Sequence, residues 1–137
     1  MNDEQVRYWQ AYIRALADLL DLRDWEVILT REWPDSDSAW ASNFTYYGQR
    51  RCEIRINPTL FFQESAESQR RIIAHELLHC HTDGVWEAIR IYCNGQEGAE
   101  ASLFERYFKQ QGEWMVDSLA TAIAKHLPLP EQEAITT

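Results

Sequence analysis

A chain of 137 residues, 45% hydrophobic and 12% aromatic, is long enough for one compact domain and too apolar for a disordered segment. Twenty-two acidic against thirteen basic residues give a formal charge of −9; the only basic clusters, Arg50-Arg51 and Arg70-Arg71, are too short to offset that charge, so nucleic acid is not an expected partner. Cys52, Cys80 and Cys93 lack CxxC spacing, no apolar run approaches membrane-spanning length, and Met1-Asn2-Asp3-Glu4 does not open a secretory signal, so a cytoplasmic protein without disulfide framework or membrane partner is expected.

Val6, Trp9, Ile13, Leu16 and Leu20 recur at three- and four-residue steps, which predicts an amphipathic helix from about Asp3 to Leu22. Trp25 to Thr30 reads as a strand, and Trp33 to Ser38 as a loop of turn formers. Trp40, Phe44 and Tyr46 alternate with Ala41, Asn43 and Thr45; beyond a turn near Gly48, Cys52, Ile54 and Ile56 alternate with Glu53, Arg55 and Asn57. Two more strands are therefore predicted, ended by Asn57-Pro58. A helix from about Ser65 to Thr82 follows, stopped at Gly84, then a short helix around Trp86 to Ile91 and a Gly-containing turn. A last helical region, bending or restarting at Gly112, reaches about Leu127. The expected fold is an α+β domain over residues 1–127: an N-terminal helix, a small three-stranded, mainly antiparallel sheet and two further helices. A flexible tail is expected over residues 128–137.

His75-Glu76-Leu77-Leu78-His79 is the most informative segment. A four-residue step on a helix turns only about 40° past a full turn, so both imidazoles leave the same face and can share one metal ion. Glu76 is displaced to the side, where it can reach a metal-bound water as a general base without being a ligand. Ile72, Ile73, Ala74, Leu77 and Leu78 make the surrounding segment strongly apolar, and polar groups placed there are costly unless a metal or hydrogen bonds compensate. Two histidines on a helix surface are the competing reading.

A catalytic zinc usually takes three protein ligands and leaves one position for water. The pattern His-Glu-x-x-His-x-x-Gly-x-x-His is excluded, because Thr82 and Val85 stand where its glycine and last histidine belong. His81 lies about 200° from His79 around a helix and cannot easily join the same ion. Glu113, 34 residues beyond His79, is the better candidate. It shares a helix face with Asp117, Ala120 and Ala124, where small residues would let a second helix approach. Asp117 could then accept the outer N–H of a ligating histidine. A solvated acidic face is the alternative reading.

His75-Glu76-x-x-His79 followed on a later helix by Glu113-x-x-x-Asp117 resembles the gluzincin clan of zinc metallopeptidases, in particular its minimal single-domain members and small phage-type peptidase domains. The resemblance spans roughly Trp25 to Lys125 and implies a zincin-like fold. It also implies that His75, His79 and Glu113 bind Zn2+, that Glu76 is the catalytic base and acid, and that Asp117 orients His75. Larger gluzincins carry a transition-state-stabilising Tyr or His on a second helical domain. His81, Tyr92 and Tyr107 are the candidates to replace it, each with packing or surface as its alternative reading. Cys80, beside His79, reads as a buried structural thiol.

The expected function is zinc-dependent hydrolysis of peptide bonds in a peptide or protein substrate, with a zinc-bound water activated by Glu76. The segment Ala39 to Tyr46 is the candidate sheet edge for an extended substrate, although Trp40, Phe44 and Tyr46 would equally serve as core. The alternative is a non-enzymatic zinc-stabilised interaction module whose acidic surface takes a basic partner. The sequence does not set an oligomeric state.

Overall fold

The computed structural model describes residues 1–131. Helix α1 (Asp3–Leu19) opens with a reciprocal cap: the Asn2 side chain accepts from Gln5 N while the Gln5 side chain accepts from Asn2 N. It ends before the expected Leu22 because Asp21 takes a left-handed conformation, φ 60°, and Leu22 N turns back to Ala17 O. Trp9, Ile13 and Leu16 form its buried stripe, and the Trp9 ring meets Phe61 edge-on at 4.8 Å.

Strands β1 (Glu26–Leu29), β2 (Ala41–Tyr46) and β3 (Arg51–Ile56) form one sheet in the order β1-β3-β2. The expected mainly antiparallel sheet is instead mixed: β3 pairs antiparallel with β2 and parallel with β1. The chain leaves β1 through residues 30–40, reaches the far edge as β2 and turns back at Gly48 to fill the centre as β3. Alternation in sequence reveals faces, whereas the order of strands depends on that crossing. Cys52, Ile54 and Ile56 of β3 point into the core with Ile73 and Leu77.

Strand β2 decides between the two readings of the aromatic residues at Trp40 and Phe44. Ala41 and Thr45 are buried beneath the helices, whereas Trp40 and Phe44 are exposed, with Arg55 over the Phe44 ring and Arg51 over Tyr46. After β3, Asn57 caps the single-turn helix α2 (Pro58–Phe61), which the sequence did not predict; its side chain accepts from Thr59 N and Leu60 N.

Helix α3 (Ala66–Asn94) begins at Ser65, whose hydroxyl accepts from Ser68 N, and continues straight through Gly84. The expected stop there, and the separate helix at Trp86 to Ile91, are replaced by one element of 29 residues. Packing explains the continuation, because Trp86 stacks on Phe108 of helix α4 (Ala99–Ala124) at 6.2 Å and the pair closes as a helical hairpin near Gly95 to Gly98. Gly112 neither breaks nor restarts α4. Leu78, Val116 and Ala120 fill the seam between the two helices.

Pro128 to Glu131, expected to begin a loose tail, lie against α1: Tyr12 Oη donates to Pro128 O at 2.8 Å, and Pro130 is buried. The rest of that expected tail, residues 132–137, lies outside the described residues. No helix among the described residues is long and apolar enough to cross a membrane.

Candidate metal centre

The middle of α3 and the second half of α4 bring together the three residues whose types suit a metal. His75 Nε2 and His79 Nε2 lie 3.2 Å apart, and Glu113 Oε2 lies 3.6 Å from the first and 3.7 Å from the second. A triangle with those sides has a circumscribed radius of about 2.0 Å, matching the roughly 2.0–2.2 Å of zinc bonds to nitrogen and carboxylate oxygen. The three donor atoms lie close enough together that the cluster could hold a metal ion.

Each histidine has a carboxylate behind it. His79 Nδ1 is 2.9 Å from Asp83 Oδ1, and His75 Nδ1 is 3.6 Å from Asp117 Oδ1, which also accepts from Arg71 at 3.0 Å. Such partners fix the ring orientation and leave Nε2 free to face the ion. Asp117 was expected from its spacing; Asp83 was missed, although it stands four residues after His79. The reason is the predicted helix end near Thr82, which placed Asp83 outside the helix.

The electrostatics follow from this crowding. Burial opposes protonation of His79, but Asp83, Glu76 and Glu113 outweigh it and push the imidazole up to about 9 in the metal-free protein. The neighbouring His75 imidazole, 3.6 Å away, lowers the Glu113 carboxyl despite its partial burial. Glu76 is the contrasting acid: burial raises its carboxyl above the usual range even with both histidines nearby. Two carboxyls within one site are thus pushed in opposite directions.

Glu76 lines the same cleft as the three donors, a cavity of about 710 Å³. Ala41, Ser42 and Asn43 of edge strand β2 form one wall, and Trp86, Phe108 and Lys109 of the hairpin form another. Asn43 Nδ2 donates to the Glu76 carbonyl at 2.8 Å, tying that strand to the motif helix. Tyr47, in the turn after β2, also lines the cleft, with its phenol raised first by burial and then by Asp83. Nothing in the sequence signalled Tyr47, because its approach depends on how the turn folds over α3.

The other candidates lie elsewhere or are already engaged. His81 Nε2 is 2.8 Å from Leu20 O at the end of α1. Tyr92 and Tyr107 are exposed on the hairpin and do not line the cleft. Cys80 is buried in the core with Cys52 and accepts from Asn43 Nδ2. Comparison of the chain with protein-family models, with curated proteins and with solved structures gives no match.

Proposed function

We propose that this protein is a zinc-dependent peptidase with a zincin-like fold, of the minimal gluzincin kind. The observation that carries the reading is the near-equilateral triangle of His75, His79 and Glu113 donors beside the buried carboxyl of Glu76. Two imidazoles and one carboxylate form a borderline ligand set that suits zinc. Zinc held there supplies Lewis acidity toward the peptide carbonyl and acidifies water at neutral pH.

The chain's own residues supply the rest. Glu76 takes the proton from the attacking water and delivers it to the departing amine, a role favoured by its raised pKa. Asp83 and Asp117 hold the two imidazoles in orientation. Among the described residues strand β2 pairs only with β3, so its other edge is the candidate to take an extended peptide along the cleft wall. Three free thiols, Cys52, Cys80 and Cys93, fit a reducing, cytoplasmic setting.

A second reading is a non-enzymatic, zinc-stabilised interaction module, favoured by the exposed apolar side chains of α4, Trp114 and Tyr107 among them. It requires no base. The experiment is metal analysis of the natural chain and Glu113→Ala, followed by digestion of a mixed peptide library with the zinc-loaded natural chain and Glu76→Gln. The peptidase reading expects one zinc per natural chain, marked loss in Glu113→Ala, and cleavage that falls about 10²–10⁴-fold in Glu76→Gln with zinc retained. No zinc after reconstitution, or cleavage indifferent to Glu76→Gln, overturns it.

A further inference from the structure

Helix α4 is apolar on its outer side. Leu103, Tyr107 and Trp114 are 66%, 60% and 59% exposed, and Phe104, Met115 and Leu119 are exposed beside them. At 100° per residue, the five charged residues between Leu103 and Ala122, namely Glu105, Arg106, Lys109, Glu113 and Asp117, fall within one arc of about 120°. The large apolar residues occupy the remaining side over about 24 Å of helix, with Gln110, Gln111, Ser118 and Thr121 as polar members. A surface helix normally turns this stripe inward.

We infer that this face of α4 seats a second copy of the same chain, so that two molecules associate about a two-fold axis near Gln111. Aromatic side chains present about 150–250 Å² each, so Phe104, Tyr107 and Trp114 alone leave roughly 300 Å² in water. Leu103 and Leu119, with Met115, which also borders the cleft, bring the face to roughly 500 Å². A standard interface of about 800 Å² per partner is about 57% apolar, or roughly 450 Å². The face has the area that a stable dimer needs.

Its pattern is also self-complementary. An antiparallel pairing centred on Gln111 sets Phe104 of one copy against Ser118 of the other and Tyr107 against Met115. The two Gln111 amides meet at the axis, where each can both donate and accept. Each molecule carries −9, so two copies can approach closely only through a surface free of charge, and this one is. A basic partner would find no carboxylate on it to pair with.

The test is sedimentation equilibrium of the full chain from about 1 to about 100 μM, beside Tyr107→Lys, Trp114→Lys and a control, Trp33→Lys, which alters an exposed tryptophan in the loop before β2. Circular dichroism verifies that each variant is folded. The natural chain and the control should approach twice the 16.2 kDa of one chain. Each α4 variant, present twice in a symmetric interface, should weaken association at least about 100-fold. A monomer at every concentration overturns the inference, as does a dimer indifferent to both α4 variants or one lost equally in the control. A monomer that instead floats with phosphatidylcholine vesicles reassigns the face to lipid.

Discussion

Zinc affinity should depend steeply on pH, with Asp83 setting both its plateau and its midpoint. Coordination by His79 would require its neutral imidazole, yet without metal that imidazole is pushed up to about 9, with Asp83 the largest contributor to the rise. At pH 7 a proton therefore competes with zinc by about 100-fold, and apparent affinity should increase about tenfold per pH unit until it levels near pH 9. Asp83→Asn removes the hydrogen-bond partner 2.9 Å from His79 Nδ1, which should lower the plateau affinity about 10–100-fold. The same substitution lowers the histidine's pKa and relieves proton competition, so the difference from the natural chain should shrink on going from pH 9.5 to pH 7. Competition against a chromophoric chelator, corrected for the chelator's own protonation, measures both profiles. A natural profile flat between pH 7 and 9, or an equal loss at both pH values in Asp83→Asn, would refute the reasoning.

In excess chelator the same histidine should link folding to pH. Its folded pKa lies above the unfolded value of 6.5, so its contribution, about 3 kcal/mol, is complete below pH 6.5 and is lost as pH rises through about 9. Thermal melts at pH 6 and 9.5 should differ by about 10 °C from this source, and equal melting temperatures would remove the linkage. Ala120 is fully enclosed with Leu78 and Val116, so Ala120→Leu should cost about 1–3 kcal/mol by overpacking. Because it forces α4 from α3, it should also weaken zinc binding at least about tenfold, as a titration would show; unchanged affinity would mean that Glu113 is not held by that seam. Gly84 lies inside α3 with open space where a Cβ would stand. Gly84→Ala should therefore stabilise the protein by up to about 1 kcal/mol in urea unfolding, and destabilisation would contradict the continuous helix.

The sequence was most legible where a residue's role is set by its own helix. His75 and His79 project together because four residues make about one turn, and α1 could be read from Val6, Trp9, Ile13 and Leu16. The strands were legible as alternation, but the parallel neighbour of β3 was not, since pairing depends on the path between β1 and β2. Trp40 and Phe44 allowed two readings, sheet edge or core, and the choice was made by packing, which put the smaller Ala41 and Thr45 beneath the helices. Gly84 misled: a local breaking tendency of about 1 kcal/mol was outweighed by the contacts of Trp86 and its neighbours with α4. The lost Asp83 followed from that error. The distance between Glu113 and the histidines was beyond the sequence altogether, being fixed by the close approach of α3 to α4 at Ala120.

The two long helices meet the candidate ligands near their middles, far from the turn that joins them. Coordination by His79 and Glu113 would close a loop spanning 34 sequence positions, a restraint comparable to a disulfide and worth about 4 kcal/mol in chain entropy. A cation held there would thus also act as a clasp on the hairpin. Stripping it would loosen the outer arms of α3 and α4 while α1 and the sheet keep their own core, so proteolysis of the chelated protein should begin between Asp83 and Glu113.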